Sequence, residues 1–138
     1  MKTLLSLFAI VCTLTFSQAQ TDGVTVSVTI ENVLNNEGTL LAGLHTAETF
    51  MKAQGIKTAS TAAKKGAVTL TFENVAPGSY SILVLHDANG NNQMDFEANG
   101  MPKESYGTTG EMTLYGPPTF EATAFTVAQK DVSHNIRF

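Results

Sequence analysis

Tryptophan is absent from this chain, and cysteine occurs once, at Cys12. That cysteine lies inside an apolar run, 4–16, which follows a basic Lys2 and leads to the small residues Ser17 and Ala19. A basic start, a short apolar run and small residues at the two cleavage positions read as a secretory leader, cut between Ala19 and Gln20. A membrane-spanning helix needs about 20 apolar residues, more than this run offers. Val11 stands where a lipoprotein signal needs a small residue before its cysteine, which argues against a lipid anchor. The expected organisation is a signal peptide, 1–19, and a single domain, 20–138, exported to the periplasm or secreted. Loss of Cys12 with the leader excludes both a disulfide and a thiol nucleophile in the exported domain. About 119 residues remain, enough to bury a core without staples.

Basic charge is also scarce. Eight Lys and Arg face twelve Asp and Glu, giving a formal charge of −4, or −5 once Lys2 is removed. The one basic cluster is Lys64 with Lys65. Nucleic acid and anionic membrane surfaces are poor partners for such a chain. No second long apolar run follows the first, so no transmembrane span is expected in the mature chain.

What is present is alternation. Val24, Val26, Val28 and Ile30 alternate with Thr25, Ser27, Thr29 and Glu31, the pattern of a strand with one dry face. Residues 35–38 make a turn, and 39–46 the returning strand. A short helix is expected over 47–54, with Thr46 as its cap, Gly55 as its stop, and Phe50 and Met51 tucked under the sheet. Residues 56–66, rich in Lys, Thr, Ser and Ala, read as an exposed loop. Val68, Leu70 and Phe72 mark another half-buried strand. Residues 80–85 (YSILVL) are apolar on both parities apart from Ser81, as in a central strand covered on both sides. Further strands are expected over 120–127 and 132–138. The sum is an all-β, antiparallel β-sandwich of immunoglobulin-like or transthyretin-like shape, with six to seven strands and one short helix.

Between them, from 88 to 118, periodicity vanishes while Gly, Asn and Pro accumulate. Loops this long are usually functional or internally packed. Asp87, Asn89, Asn91, Gln93 and Asp95 fall at positions 1, 3, 5, 7 and 9 of a calcium-loop spacing. A hard cation takes six to eight oxygens, and a tightly turning loop aims alternate side chains inward. Position 6 is Asn92 rather than Gly, and Asn tolerates the left-handed turn required there. Position 12 is Ala98 rather than Glu, leaving Glu97 or Glu104 to complete the shell. The plain alternative is a turn whose Asp and Asn side chains bond their own backbone.

The stretch from Val75, Ala76, Pro77, Gly78 and Tyr80 into HDANGN at 86–91, then Asp95, then GMPKESYG at 100–107, resembles the secreted bacterial family catalogued as domain of unknown function 2141. The resemblance extends from Val24 to Phe138. It implies export and a β-sandwich, a family common in the Bacteroidetes, and no established activity. Residues 87–95 with Glu97 and Gly100 are also similar to the calcium loops of B-type repeats in bacterial surface adhesins, though Ala98 stands where those repeats place a Glu. The turn into 80–85 resembles carboxypeptidase regulatory-type domains, which share the sandwich and carry no catalysis.

Little in the chain suggests an enzyme. There is no GxSxG elbow, and His45, His86 and His134 sit on three different expected strands. His86 and Asp87 are neighbours in a strand and therefore face opposite ways. The C-terminal residues lack the Tyr-Arg-Gly-Ser ending of transthyretin-like hydroxyisourate hydrolases. The expectation is a non-catalytic module holding Ca2+ through Asp87, Asn89, Asn91, Gln93, Asp95 and Glu97 or Glu104, and binding an envelope or extracellular protein or polysaccharide. The alternatives are a metal-assisted hydrolase built on the His86–Glu104 region, and a ligand-free scaffold.

Overall fold

The alternation at the N-terminal end of the domain produces β1, Val24–Val33, whose Val26, Val28 and Ile30 are fully buried. The structure is a computed structural model describing residues 23–112 and 115–138; the expected leader and expected cleavage point lie outside the described residues. The described chain forms eight strands in two sheets and one short helix. After β1 come β2 (Thr39–His45), β3 (Lys57–Ala62), β4 (Gly66–Val75) and β5 (Gly78–Asp87). Then follow β6 (Tyr106–Thr108), α1 (Phe120–Thr123), β7 (Phe125–Val127) and β8 (Val132–Ile136).

One sheet has the order β4-β1-β8 and the other β3-β2-β5-β6, with β7 paired to the start of β5. The inward faces of β1, β4 and β8 meet those of β2 and β5. Ile30, Phe72 and Ile136 from the first sheet share the core with Leu40, Leu44, Ile82 and Val84 from the second. Burial of such side chains stabilises by about 1.5–3 kcal/mol each, so this dry layer holds the domain together without a covalent staple.

The sandwich-like, all-β reading holds, with corrections in its parts. The pairing is not wholly antiparallel, because β8 runs parallel to β1 with Val28 beside His134. The helix expected at 47–54 is a pair of turns. Phe50 and Ala53 donate main-chain bonds to the carbonyls four residues back, at 3.0 Å each, but Met51 adopts φ +57, which keeps the two turns from joining into one helix. Phe50 is buried as expected, whereas Met51 is exposed.

The expected loop 56–66 contains β3, an edge strand paired with β2 from Thr39–Ala62 to Leu44–Lys57. Backbone pairing alone makes such a strand, so small polar residues suffice and the apolar signal is missing. The expected strand 120–127 is divided. Thr119 caps α1 by accepting from the Ala122 amide at 3.3 Å. Buried Thr123 anchors α1 by accepting from the Ser81 hydroxyl at 2.8 Å, while its carbonyl accepts from Thr109 Oγ1 at 2.7 Å.

Strand β5 positions everything that follows. Tyr80, Ile82, Val84 and His86 point into the core, and Ser81, Leu83, Leu85 and Asp87 point to the other face. That outer face is itself covered, by α1 at Ser81 and by the chain after Asp87 at its far end.

Candidate functional site

Strand alternation separates His86 from Asp87. The His86 ring turns inward, its Nε2 2.7 Å from the Glu37 carbonyl, and stacks on Phe138 with centroids 6.2 Å apart. Asp87 turns outward yet is 0% exposed, because the following loop wraps around its carboxylate. Its Oδ1 accepts from the amides of Gly90 (2.8 Å) and Asn91 (3.2 Å), and its Oδ2 from that of Asn92 (2.8 Å). Three N–H groups on one carboxylate require a sharply coiled backbone. Gly90 at φ +77 and Asn92 at φ +61 supply it, so Asn92 takes the left-handed conformation expected of position 6.

The asparagines build the next layer. Asn89 Oδ1 accepts from the Asn91 amide, and Asn91 Oδ1 from the Gln93 amide, both at 3.1 Å. Their Nδ2 groups both donate to Asp95 Oδ2, that of Asn91 at 2.9 Å. Glu104 closes the other side, its Oε1 accepting from the Ala88 amide (3.1 Å) and its Oε2 from that of Asp95 (3.3 Å). Asp87, Asn89, Asn91, Asp95 and Glu104 therefore belong to one connected network. Gln93 enters it through its main-chain amide, with an exposed side chain.

Glu97 stands apart. Its amide donates to the Met101 carbonyl at 2.7 Å and its carbonyl accepts from Gly100 at 2.9 Å, and its side chain is exposed. These bonds, with a bridge between Phe96 and Pro102 and one from the Lys103 amide to the Asp95 carbonyl, make a small arm of 95–103. Its bend contains Ala98, the position at which a calcium loop would carry its glutamate. The GMPKESYG stretch thus has local reasons. Gly100 turns the arm at φ +83, Glu104 clamps the loop, and Ser105 receives the His86 amide at 2.8 Å.

Among the described residues, no three of His, Cys, Asp and Glu are grouped to hold a metal. What meets in the loop instead is the Asp95 carboxylate and the side-chain amides of Asn89 and Asn91, while the Asp87 and Glu104 carboxylates accept from main-chain amides. The three histidines lie apart. His45 is on the outer face of β2, His86 faces the core, and His134 sits on β8 against Phe125, with ring centroids 4.1 Å apart.

The sequence reading missed an apolar cleft of about 680 Å³ between the outer face of the five-stranded sheet and the arm. Its floor pairs Leu41 with Leu85 across β2 and β5, with Leu83 beside them opposite Gly43. Met94, with Phe96 and Pro102 of the arm, stands over it, and Tyr106 and Pro117 complete the wall. The half of the signal carried by YSILVL was legible; the partner that covers it comes from separate segments.

His45 lies over Gly43, where a Cβ would come within 2.6 Å of His45 Nε2, and packs edge-on against Phe50. Its Nδ1 and the Nε2 of His134 are buried without a hydrogen-bond partner among the described residues. Burial holds both rings below their ordinary 6.5, the Thr49 main chain opposing this weakly at His45. A histidine with a depressed folded-state pKa contributes stability that is present above its unfolded value and is lost as pH falls through the folded one. The urea midpoint is therefore expected to drop as pH is lowered from about 7 towards 5, and to drop less in His45→Gln. Parallel pH dependence in the two proteins would assign the loss elsewhere.

Compared with curated proteins and with solved structures, the chain matches none of them. A family model described as "Uncharacterized protein conserved in bacteria (DUF2141)" matches residues 28–135, from within β1 to within β8, and so takes in the loop network, the arm and both sheets. The chain belongs to this family.

Proposed function

We propose that the chain is an exported, non-catalytic β-sandwich module whose loop after β5 takes a calcium ion and presents a surface to an envelope or extracellular protein or polysaccharide. The observation that supports the ion is the meeting of three side-chain termini: the amides of Asn89 and Asn91 both reach the same oxygen of Asp95. Asp87 lies within the same coil and Glu104 clamps it from the far side. To admit a cation, the two amides rotate so that their oxygens replace their nitrogens beside Asp95, giving up their two bonds to Asp95 and the two that their oxygens accept from the Asn91 and Gln93 amides in exchange for two ligands. Neutral donors in a loop favour calcium over magnesium, which demands a rigid octahedron. With few carboxylates the affinity falls in the range of extracellular modules, on the order of 10⁻⁴–10⁻³ M.

The test starts from protein recovered from the exported fraction of a bacterial host. Intact mass is expected to place its first residue at Gln20. Calcium at about ten times its dissociation constant stabilises by roughly 1.4 kcal/mol, a rise in Tm of roughly 4–6 °C for a domain this size. Magnesium at the same concentration is expected to give less. Asp95→Asn, which keeps the shape but removes the charge, is expected to abolish the rise. A flat melting temperature in the parent protein, or an undiminished rise in the variant, would dismiss the ion.

A further inference from the structure

We infer that the cleft between the outer sheet face and the arm is a binding site for one uncharged, largely apolar small molecule. Its volume, about 680 Å³, falls in the range of small-molecule sites, roughly 300–1,000 Å³. Its floor is stiff, because Leu41, Leu83 and Leu85 belong to the two central strands whose opposite faces form the core. Its mouth is not. Met51, Phe96 and Met101 all line it and are 58%, 58% and 61% exposed, three of the seven large apolar side chains that the described residues leave in water. Scattered apolar residues need no explanation, but their collection round one concavity marks a contact site. Methionine at a mouth adapts to varied shapes.

The lining decides the chemistry. No charged side chain lines the cleft, and the Tyr106 hydroxyl is its one side-chain oxygen among the described residues. A sugar or a polar peptide would bring several donors and acceptors with nothing to receive them, which costs a few kcal/mol for each one buried. An anion is disfavoured differently. Residues 87–104 carry four carboxylates and one lysine, so the adjacent loop repels negative charge. A second copy of the chain is a poor occupant, since the cleft is concave and lies on a sheet face rather than at a free strand edge. The inference stands apart from the ion: neither the floor nor the mouth contains an atom of the proposed calcium site.

The probe is neutral N-phenyl-1-naphthylamine, titrated into the purified exported chain in the presence of chelator and followed by fluorescence. Saturable enhancement is expected, with a dissociation constant on the order of 10–100 μM. Anionic 8-anilinonaphthalene-1-sulfonate is expected to bind at least about five-fold more weakly. Leu85→Trp fills the floor and is expected to weaken the neutral probe about ten-fold or more. Phe96→Lys alters an exposed side chain, leaves the urea midpoint in place, and is expected to weaken it about five-fold. Absence of saturable binding, equal binding to both variants, or a dimer in light scattering that dissociates as the probe binds would each overturn the inference. Because chelator is present throughout, failure of the calcium proposal and failure of this one are separate results.

Discussion

Asp87→Ala is expected to lower the unfolding free energy by about 3 kcal/mol, the largest loss from any single side chain of the loop. The carboxylate is completely enclosed and receives the amides of Gly90, Asn91 and Asn92. A hydrogen bond to a charged group contributes about 1.5–3 kcal/mol. Three of them would sum to more, but residues 90–92 are exposed, so the freed amides regain water as the coil opens. Asp87→Asn keeps an acceptor for one amide or two and is expected to lose about half as much. Asp95→Ala, in chelator, is expected to lose under about 1 kcal/mol, because its oxygen receives only exposed side-chain amides. Urea unfolding of the three variants at one pH decides the order. A loss below about 1 kcal/mol in Asp87→Ala would mean that the loop does not depend on the carboxylate it encircles.

That expectation changes how the HDANGNNQMD stretch is read. The spacing of its oxygens was visible in the sequence, and so was the left-handed tolerance of Asn92. What could not be read is the division of labour. Asp87 acts first as the hub of a backbone coil, while Asn89, Asn91 and Asp95 bond to one another on its more exposed side. Ligand spacing and Asx-turn spacing share the same residue types, because both exploit a short side chain carrying an oxygen. Glu97 and Glu104 were interchangeable on spacing alone. The fold separates them, since the bridge between Phe96 and Pro102 leaves the Glu97 side chain exposed on the arm and brings Glu104 back to the Ala88 and Asp95 amides.

Legibility elsewhere follows the same physics. Strands β1 and β4 and the central β5 could be read because one or both faces are dry and the period of two survives. Strand β3 could not, since at a sheet edge the backbone alone does the pairing. Helix α1 was hidden inside an apparently alternating run, and its buried hydroxyl network runs through Thr123 to Ser81 and Thr109. The apolar cleft was hidden for a different reason. Leu41 and Leu85 face each other across strands far apart in sequence, and the arm over them has no period of its own. Long-range juxtaposition of this kind leaves no mark in any one window of sequence.

Gly38→Ala is expected to lose about 3 kcal/mol or more, although it adds a single methyl group at an exposed turn. The turn that ends at Gly38 ties three parts of the fold together. Glu37 offers its carbonyl to His86, Gly38 offers its own to the Ala63 amide at 3.0 Å, and Asn36 receives the Lys65 amide at 2.8 Å. Gly38 itself has φ +68, and a Cβ there would be driven into the Asp87 carbonyl oxygen and stand 2.7 Å from the Ala88 Cα. Both obstacles are backbone, so no rotamer change relieves them. Gly90 supplies the control. Its φ is +77 but nothing lies within 4 Å of its would-be Cβ, so Gly90→Ala meets only the left-handed penalty of roughly 1–2 kcal/mol. The difference between the two urea midpoints isolates the collision from the conformational strain. Equal losses would show that the β1–β2 turn can withdraw from the end of β5, and that the hub at Asp87 is held by its own loop alone.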